Sequence, residues 1–440
     1  MPCTPAVKEY RYMPKSVSKN AGGFDRFGLH ESLQRGIRAA GFKNPRPIQD
    51  DTIPAGLRGR DVLGLAQTGT GKTAAFALPI ADRLLSGGKR STRALVLAPT
   101  RELANQISAE MNLLARFTPL KIVTIYGGVP QGRQVEALRQ RPDVIVACPG
   151  RLLDLLQQGL LHLERIETLV IDEADHMFDM GFLPDIRKIL AALPRKRQNL
   201  LFSATMPKEI RHLADDLLSD PLVVELSSTA PVETIDHALV LIPEKSKRDL
   251  LEHVLSGEDC ESAIVFTRTK HRARRLAEQL SKAGHRAVGI QGNLSQARRD
   301  QAMRGFRSRK YDILVATDIV ARGIDVSGVS HVINYDVPNT PEAYTHRIGR
   351  TGRAELDGIA CTFVTGEDHG WLRATERMIG SPIPRRRVEG FEPEAEPRPE
   401  RAAKPRGDRR GHAAGGRPGG KKWNHWGASA GKGRSRRRAS

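Results

Sequence analysis

The sequence has few cysteines, no long apolar run and a deficit of acidic charge. The cysteines number four, at positions 3, 148, 260 and 361, roughly a hundred residues or more apart, so local spacing provides neither a disulfide framework nor a CxxC zinc pair. No apolar run reaches the length of about 18 residues that could span a bilayer, and residues 1–20 lack the apolar block of a secretory signal. We therefore expect a cytoplasmic protein in a reducing compartment, with no membrane partner.

Basic charge is concentrated near the end of the chain. Lys and Arg number 70 against 50 Asp and Glu, which gives a formal net charge of +20. Residues 381–440 hold 17 of these basic residues against 6 acidic ones, so +11 of the excess falls there. This segment is rich in Gly, Pro and Arg, which predicts a disordered basic tail. Its cations suit phosphates, and Trp423 and Trp426 suit unpaired bases, although charge runs are also typical of solvated extensions.

The chain of 440 residues is long enough for two or three domains. Apolar runs rich in Val, Ile and Leu alternate with amphipathic stretches, a pattern typical of parallel strands with helical crossovers. We expect two series of strands, at 61–66, 94–99, 121–126, 143–148, 168–173 and 199–204, then at 262–267, 287–292, 312–317, 331–336 and 360–365. Residues 220–235 have the Pro, Ser and Thr content of a connection, with a hinge near 226–234.

A phosphate-binding loop is predicted directly after the first strand, where AQTGTGKT precedes a helical stretch. Its glycines allow backbone N–H groups to face phosphates, Lys72 is placed to reach the terminal phosphates, and the Thr73 hydroxyl to bind Mg²⁺. The first Gly of the usual pattern is Ala66 here, so the strand and helix context supports the assignment. The expected nucleotide contacts are Ala66, Gln67, Thr68, Gly69, Thr70, Gly71, Lys72 and Thr73.

Carboxylates at the end of the strand TLVI predict the partners of this loop. Asp172 would bind Mg²⁺ and Glu173 would orient the attacking water. Ligands of open α/β sheets bind at this edge. Without the phosphate loop, Asp172, Glu173 and Asp175 would suit a solvated turn equally well. His176 has no second histidine at ligand spacing, so we expect a satisfied surface or interface histidine.

A cluster of arginines occurs in the second series, in YTHRIGRTGR. Arg347, Arg350 and Arg353 recur every three residues, which on a helix would bring them to roughly one face, although the intervening glycines make a continuous helix doubtful. Guanidinium groups stabilise the charge that develops on a transferring phosphoryl group. If they come from another domain, hydrolysis depends on closure of the two domains. The alternative is a surface cluster that binds nothing.

Together these motifs resemble the DEAD-box RNA helicases over residues 24–375. The segment 172–175 reads DEAD. PTRELANQ and CPGR precede it, and SAT, IVFTRTK, QGNLSQARR and ATDIVARGID come after it, all in the family's order. The resemblance implies two tandem RecA-like parallel-sheet domains. We expect an N-terminal extension at 1–23, domain 1 at 24–225, a linker at 226–235, domain 2 at 236–380 and the tail at 381–440. The ARGID segment and the basic tail look most similar to the bacterial RhlE-like branch.

The resemblance also implies roles for individual residues. Phe24 would stack on adenine, Gln49 would hydrogen-bond its edge, and Ser203 and Thr205 would couple hydrolysis to strand separation. His346, Arg350 and Arg353 would join Lys72, Asp172 and Glu173 in catalysis, and Gly323 and Asp325 would contact the nucleotide. The implied RNA contacts are Pro99, Thr100, Arg101, Gly128, Gly150, Arg151, Arg268, Gly292, Thr317 and Arg322. Cys148 departs from the family's usual Thr, which puts one hydroxyl contact to RNA in doubt.

The activity implied is ATP- and Mg²⁺-dependent clamping of single-stranded RNA, with local separation of short duplexes or remodelling of RNA–protein complexes. Phosphate contacts carry no sequence information, so we expect weak sequence preference and strong salt dependence. The expected state is a monomer, and ribosomal precursors or RNA-decay proteins are expected partners. Two other functions stay open at this point: a DNA-directed helicase, and an RNA chaperone or annealing factor that acts mainly through the basic tail.

Overall fold

The structure is a computed structural model that describes residues 22–66, 69–87, 91–226, 235–257, 259–318, 329–351, 358–388 and 390–391. These residues form two open sheets whose neighbouring strands are all parallel, with helices on both faces. The predicted fold class, two tandem parallel-sheet domains, is confirmed. Across the described part of the chain, no helix is both long and apolar enough to traverse a bilayer.

The first sheet has seven strands in the order β3-β4-β2-β5-β6-β1-β7. The strands are β1 Val62–Leu65, β2 Ala94–Leu97, β3 Ile122–Ile125, β4 Val144–Ala147, β5 Thr168–Ile171, β6 Gln198–Ser203 and β7 Leu222–Glu225. The helices around it are α1 Glu31–Ala39, α2 Pro47–Leu57, α3 Lys72–Leu85, α4 Arg101–Leu114, α5 Gln131–Arg139, α6 Pro149–Gln157, α7 Ala174–Asp179, α8 Leu183–Ala191 and α9 Lys208–Leu217, after a 3-10 turn at Gly23–Phe27.

The second sheet has six strands in the order β10-β11-β9-β12-β13-β8. The strands are β8 Ile235–Leu241, β9 Ala263–Phe266, β10 Ala287–Ile290, β11 Ile313–Ala316, β12 His331–Asn334 and β13 Gly358–Val364. The helices are α10 Lys247–Leu255, α11 Lys270–Lys282, α12 Gln296–Arg307, α13 Pro341–Ile348 and α14 His369–Ile379, with a 3-10 turn at Glu244–Ser246.

The central strands are buried on both faces, which explains why they are apolar without alternation. On β2, Ala94 and Val96 belong to one core cluster, whereas Leu95 and Leu97 belong to another. Successive side chains of a strand point to opposite faces of the sheet, so the two clusters lie on its two sides. The carboxyl ends of these strands therefore meet at one edge, where loops carry the polar side chains.

Strand β7 lies where we expected only a connection, within residues 220–235. It pairs in parallel with β1, and its ends are held by two backbone bonds, from Leu222 N–H to Asp61 O at 2.8 Å and from Leu226 N–H to Leu65 O at 3.0 Å. As an edge strand it leaves Val223 54% exposed. We did not predict this strand from the sequence because polar residues flank its short apolar run. Strand β8 was also not predicted, and residues 227–234 of the expected linker lie outside the described residues.

The packed chain continues past residue 380, where we expected the tail to begin. The Leu239 N–H donates to Pro384 O at 2.8 Å, and the Arg386 N–H donates to Leu239 O at 2.9 Å. Ile383 is 2% exposed in the core of the second sheet. The predicted tail boundary is therefore wrong for residues 381–388, which lie along β8 because Ile383 supplies an apolar anchor. The rest of the predicted tail, from residue 392, lies outside the described residues, as does extension 1–21.

Candidate functional site

The loop between β1 and α3 has the backbone that a phosphate-binding loop requires. Gly69 and Gly71 both have positive φ, and α3 begins at Lys72. At Gly71, φ is +96°, and a Cβ there would lie 2.5 Å from Gln49 Nε2, so only glycine fits. The N-terminus of α3 consequently faces the site with free N–H groups, as anions require. Gln67 and Thr68 lie outside the described residues.

Gln49 ties this loop to the start of α2. It is 1% exposed, its Oε1 accepts the Arg46 N–H at 2.9 Å, and its Nε2 donates to Gly71 O at 3.0 Å. Phe24 is buried, and its ring packs edge to face against Phe27 and Phe42 with centroid distances of 5.9 Å. Gln49 therefore helps to hold the loop, whereas Phe24 packs in the aromatic cluster beside α1. Their expected contacts with adenine stay predictions.

Lys72 and Asp172 meet in the buried floor of the site. The Lys72 ammonium donates to Ala66 O at 3.0 Å and lies 3.6 Å from Asp172 Oδ1. Burial raises the pKa of Asp172 to about 6, although the Lys72 charge opposes this shift. Thr73 is buried beside Lys72 at the start of α3. A desolvated carboxylate and a hydroxyl are hard oxygen donors, which fits Mg²⁺ bound through one or two protein oxygens, with phosphates and water as its other ligands.

Glu173 has an unusual backbone for a buried residue. Its φ is +53° and its ψ is +53°, in the left-handed region that L residues rarely adopt. The other described non-glycine residues with positive φ, Arg141, Asp220 and Arg309, are exposed. Burial by itself would raise the pKa of Glu173, but a hydrogen bond from His176 and the charges of His176, Lys72 and Arg350 lower it to about 2. The carboxylate is therefore held ionised at neutral pH.

The His176 side chain is only 4% exposed, so it does not lie on the surface. Its Nδ1 lies 3.2 Å from Glu173 Oε2, and its Nε2 has no hydrogen-bond partner among the described residues. We expected a satisfied surface or interface histidine; the surface alternative is wrong, and of the two ring nitrogens only Nδ1 has a partner among the described residues. The sequence contained a signal that we did not use: His176 follows Glu173 by three residues, a spacing that brings side chains together at the start of a helix.

The segment SAT is bound to the last residue of the DEAD motif. Asp175 Oδ2 accepts both the N–H and the hydroxyl of Thr205 at 2.9 Å. Ser203 Oγ accepts the Asp175 N–H at 3.2 Å and donates to Thr205 O at 2.7 Å. Any shift of Ser203 or Thr205 would therefore move α7, which follows Glu173. This arrangement suits the coupling role that we predicted for the two residues.

The arginine cluster does not form one helical face, because α13 ends at Ile348. Arg347 is buried and binds Asp318 through two contacts, at 2.6 and 2.7 Å. Arg350 lies beyond the helix and is buried, and its charge is one of those that lower the pKa of Glu173 in the first domain. His346 lies half-buried on α13. Arg353 lies outside the described residues.

The predicted RNA contacts of the first domain lie on neighbouring loops at the carboxyl edge of the sheet. Gly128 has φ +75°, and a Cβ there would lie 2.2 Å from the Arg101 guanidinium, so the two residues are in direct proximity. Arg151 donates to Val129 O at 3.4 Å. Thr100 Oγ1 accepts the Leu103 N–H at 3.3 Å and caps α4. Pro99 is buried beside it, whereas Gly150 is exposed at the start of α6.

The second domain places the other predicted RNA contacts at its own sheet edge. The Arg268 N–H donates to Asp336 Oδ2 at 2.8 Å, and its guanidinium lies 3.5 Å from Asp368. Gly292 is exposed after β10, and Thr317 is buried after β11. The predicted residues Arg322, Gly323 and Asp325 lie outside the described residues.

A contact between the two domains joins Arg101, a predicted RNA contact, and three residues that we did not single out. Arg299 Nη2 lies 2.8 Å from Glu102 Oε1, and the Arg101 guanidinium donates to Gln296 Oε1 at 3.3 Å. Helices α4 and α12 thereby join across the domains. Arg299 and Gln296 stand in the segment QGNLSQARR, but nothing in their spacing indicated a partner about 195 residues away.

Comparison with known proteins gives the same family at every level. The DEAD/DEAH box helicase family matches residues 46–213, and the helicase conserved C-terminal domain matches residues 246–355. The chain is 45% identical over 371 residues to the DEAD-box ATP-dependent RNA helicase CshA of Geobacillus kaustophilus, covering 84% of this chain and 78% of that protein. It is also 45% identical over 355 residues to CshA of Bacillus subtilis, covering 80% of this chain and 72% of that protein.

Solved structures of similar proteins belong to the same family of RNA helicases. S. cerevisiae Dbp5 bound to RNA and ADP BeF3 matches with a TM-score of 0.73 and 33% identity, over 83% of this chain and 96% of that chain. The RhlE-like branch that we expected is not confirmed, because the relatives above are named CshA, which is a different branch. ARGID and a basic tail were too general to separate the two branches.

Proposed function

Since this chain belongs to the DEAD-box ATP-dependent RNA helicases, we propose that it hydrolyses ATP to clamp single-stranded RNA, and thereby separates short duplexes or remodels RNA–protein complexes. One observation supports this most: Lys72, Asp172 and Glu173 of the first domain lie together in a buried site, and the charge of Arg350 from the second domain reaches Glu173. The cofactors proposed are ATP and Mg²⁺.

The proposed chemistry uses groups that the fold fixes in advance. Lys72, at the N-terminus of α3, would bind the terminal phosphates, and Glu173, kept ionised, would accept a hydrogen bond from the attacking water. Arg350 would balance the charge developing on the transferred phosphoryl group. Mg²⁺, when held through Thr73 and Asp172, would neutralise charge on the phosphates. Because Arg350 comes from the other domain, hydrolysis would require the two domains to be closed.

The RNA path proposed runs over the loops that carry Thr100, Arg101, Gly128 and Arg151, and continues to Arg268 in the second domain. Contacts to phosphate give weak sequence preference, and the choice of RNA over DNA would come from the 2′-hydroxyl. The RNA-bound structure of Dbp5 supports this class of ligand. We further propose a cytoplasmic monomer whose partners include ribosomal precursors or RNA-decay proteins. The alternative of an RNA chaperone or annealing factor that acts mainly through its basic tail is not favoured, because the curated relatives are ATP-dependent RNA helicases.

The experiment compares ATP hydrolysis by the full chain with no nucleic acid, with single-stranded RNA and with DNA of the same sequence. We expect stimulation by RNA and not by DNA. Glu173→Gln removes the water's acceptor, so turnover should fall by about 10²-fold or more, while ATP-dependent RNA binding persists. Glu164→Gln, the same change at an exposed glutamate, is the control. Equal stimulation by DNA, or wild-type turnover in Glu173→Gln, would overturn the proposed function.

A further inference from the structure

We propose that His176 is a positioning residue for ATP hydrolysis, and that its imidazole holds the Glu173 carboxylate in the orientation that the attacking water needs. This inference rests on the proposed function, because it assigns Glu173 the water. His176 immediately follows the DEAD segment and was not among the site residues that we predicted from the sequence.

The contact between the two side chains has one reasonable hydrogen-bond assignment. Glu173 Oε2 lies 3.2 Å from His176 Nδ1, and both side chains are more than nine-tenths buried. An ionised carboxylate can only accept, so Nδ1 carries the hydrogen and donates it. The donor fixes one of the two carboxylate oxygens in space. It thereby limits rotation about the last torsion of the glutamate, which is otherwise broad.

Glu173 needs such support because its backbone is strained. Left-handed dihedrals at a non-glycine residue are unfavourable, and they persist only where the surroundings enforce them. Asp172 Oδ1 accepts the Glu173 N–H at 3.0 Å and fixes the backbone on one side. His176 fixes the side chain from the first turn of α7. Together they hold the carboxylate at a set position relative to Asp172.

The second ring nitrogen, Nε2, supports the contact of Nδ1 with Glu173 as the reason why an imidazole is buried at this position. His176 Nε2 is buried and has no hydrogen-bond partner within the described part of the chain. A buried polar atom without a partner is destabilising, so an apolar side chain would be more favourable here if packing were the only role. The bond to Glu173 is the benefit that offsets this cost.

His176 is also tied to the SAT segment through one residue. Its backbone N–H donates to Asp175 Oδ1 at 3.0 Å, while Asp175 Oδ2 accepts from Thr205. A continuous chain of hydrogen bonds therefore runs from Thr205 through Asp175 and His176 to the Glu173 carboxylate. A displacement of Thr205 would thus be passed to the group that orients the water.

The test replaces the donor while keeping the size of the side chain. In His176→Asn the amide nitrogen falls where Nδ1 was, whereas in His176→Gln the amide lies near the position of Nε2, and His176→Leu has no donor. We expect kcat for RNA-stimulated ATP hydrolysis to fall about tenfold or more in the Leu and Gln variants, since small misplacements of a reacting group cost this much. The Asn variant should keep at least about a third of wild-type kcat. KM for ATP should change less than about twofold in all three.

The control makes the same three changes at His162, which is 75% exposed and lies 3.6 Å from Glu164; these variants should match wild type. If the Leu variant does not fold, the comparison of Asn with Gln decides, because both are amides. Wild-type kcat in the Leu or Gln variant would overturn the proposal, as would an Asn variant as slow as Gln. A wild-type protein without RNA-stimulated hydrolysis would instead overturn the proposed function.

Discussion

Cys148 begins α6 without the side-chain cap that equivalent residues provide elsewhere in the molecule. Thr100, Thr269 and Thr340 each precede a helix, and each hydroxyl accepts the backbone N–H three residues ahead, at 3.2 to 3.3 Å. The Cys148 thiol is buried, and burial raises its pKa to about 12, so it stays protonated and is a poor acceptor. The N-terminus of α6 therefore lacks one stabilising bond.

Cys148→Thr should restore this bond. We expect the free energy of unfolding to rise by about 0.5 to 1 kcal/mol, the usual value of an N-cap hydroxyl, as measured by chemical denaturation. Cys148→Val has the same shape without the hydroxyl and serves as the control. If only the Thr variant also bound RNA more tightly, its hydroxyl would supply the phosphate contact that the family resemblance implied. If Val stabilised the protein as much as Thr, packing and not capping would explain the gain.

Gln49 shows how the start of α2 controls the adjacent loop. Both atoms of its amide are engaged, one with Arg46 and one with Gly71. Gln49→Ala should lower kcat/KM for ATP about tenfold, because the phosphate loop loses its link to α2. The decisive measurement is the same ratio with GTP. A smaller loss with GTP would support adenine recognition as well, whereas equal losses would leave Gln49 with the structural link only.

His331 begins β12 and is 6% exposed. Burial lowers its pKa below the usual value near 6.5, although the charge of Asp259 opposes this, and burial lowers the pKa of His237 on β8 in the same way. Above pH 6.5 or so, both histidines are neutral in the folded and unfolded states, so they add no pH dependence. Below it, the unfolded chain binds protons more readily, and stability is lost as the pH falls.

We therefore expect the denaturant concentration at the unfolding midpoint to decrease when the pH is lowered from 7.5 to 5.5. His331→Asn should make this decrease smaller. His162→Asn, at an exposed histidine, should leave it unchanged. If the midpoint changed with pH equally in the wild type and in both variants, His331 would not be responsible for the loss of stability at low pH.

Elements differed in how far the sequence could predict them. Strands buried on both faces, such as β2 and β9, were predicted to within two residues because their apolar runs are unbroken. The edge strand β7 was missed because Val223 and Glu225 face solvent and its run is short. At the site, glycines and acids in fixed order indicated Lys72 and Glu173. His176 was missed because its spacing of three residues from Glu173 is common in helices, and the contact also depends on a left-handed backbone at Glu173, which the sequence does not indicate.

At the scale of the whole molecule, two domains are joined by contacts that the sequence did not indicate. The Arg299–Glu102 pair is largely buried, and removing one member of such a pair leaves the other charge without compensation. Burial also lowers the pKa of Arg299. In the same arrangement the charge of Arg350 lowers the pKa of Glu173 in the other domain. Residues far apart in the chain thus meet only because each domain's sheet presents its loops at the edge that faces the other.

The C-terminal part of the chain contains a segment that packs along β8, followed by a basic segment. Two truncations should distinguish the contributions of these two segments. Ending the chain after Phe391 removes 14 Lys and Arg against 5 Asp and Glu. RNA affinity should then fall roughly tenfold at low salt, and log affinity should vary less steeply with log salt, because fewer counterions are released. Basal ATP hydrolysis and the denaturation midpoint should stay at wild-type values.

Ending the chain after Gly380 should have a different effect, because it also removes Ile383 from the core and the 2.6 Å contact of Arg386 with Asp236. Loss of a buried Ile side chain costs about 2 kcal/mol or more, so this shorter chain should unfold at lower denaturant concentration. Ile383→Ala in the full chain should reproduce the destabilisation without changing the salt dependence of RNA binding. If the two truncations were equally stable, residues 382–388 would contribute nothing to the second domain, and the packing along β8 would have no energetic consequence.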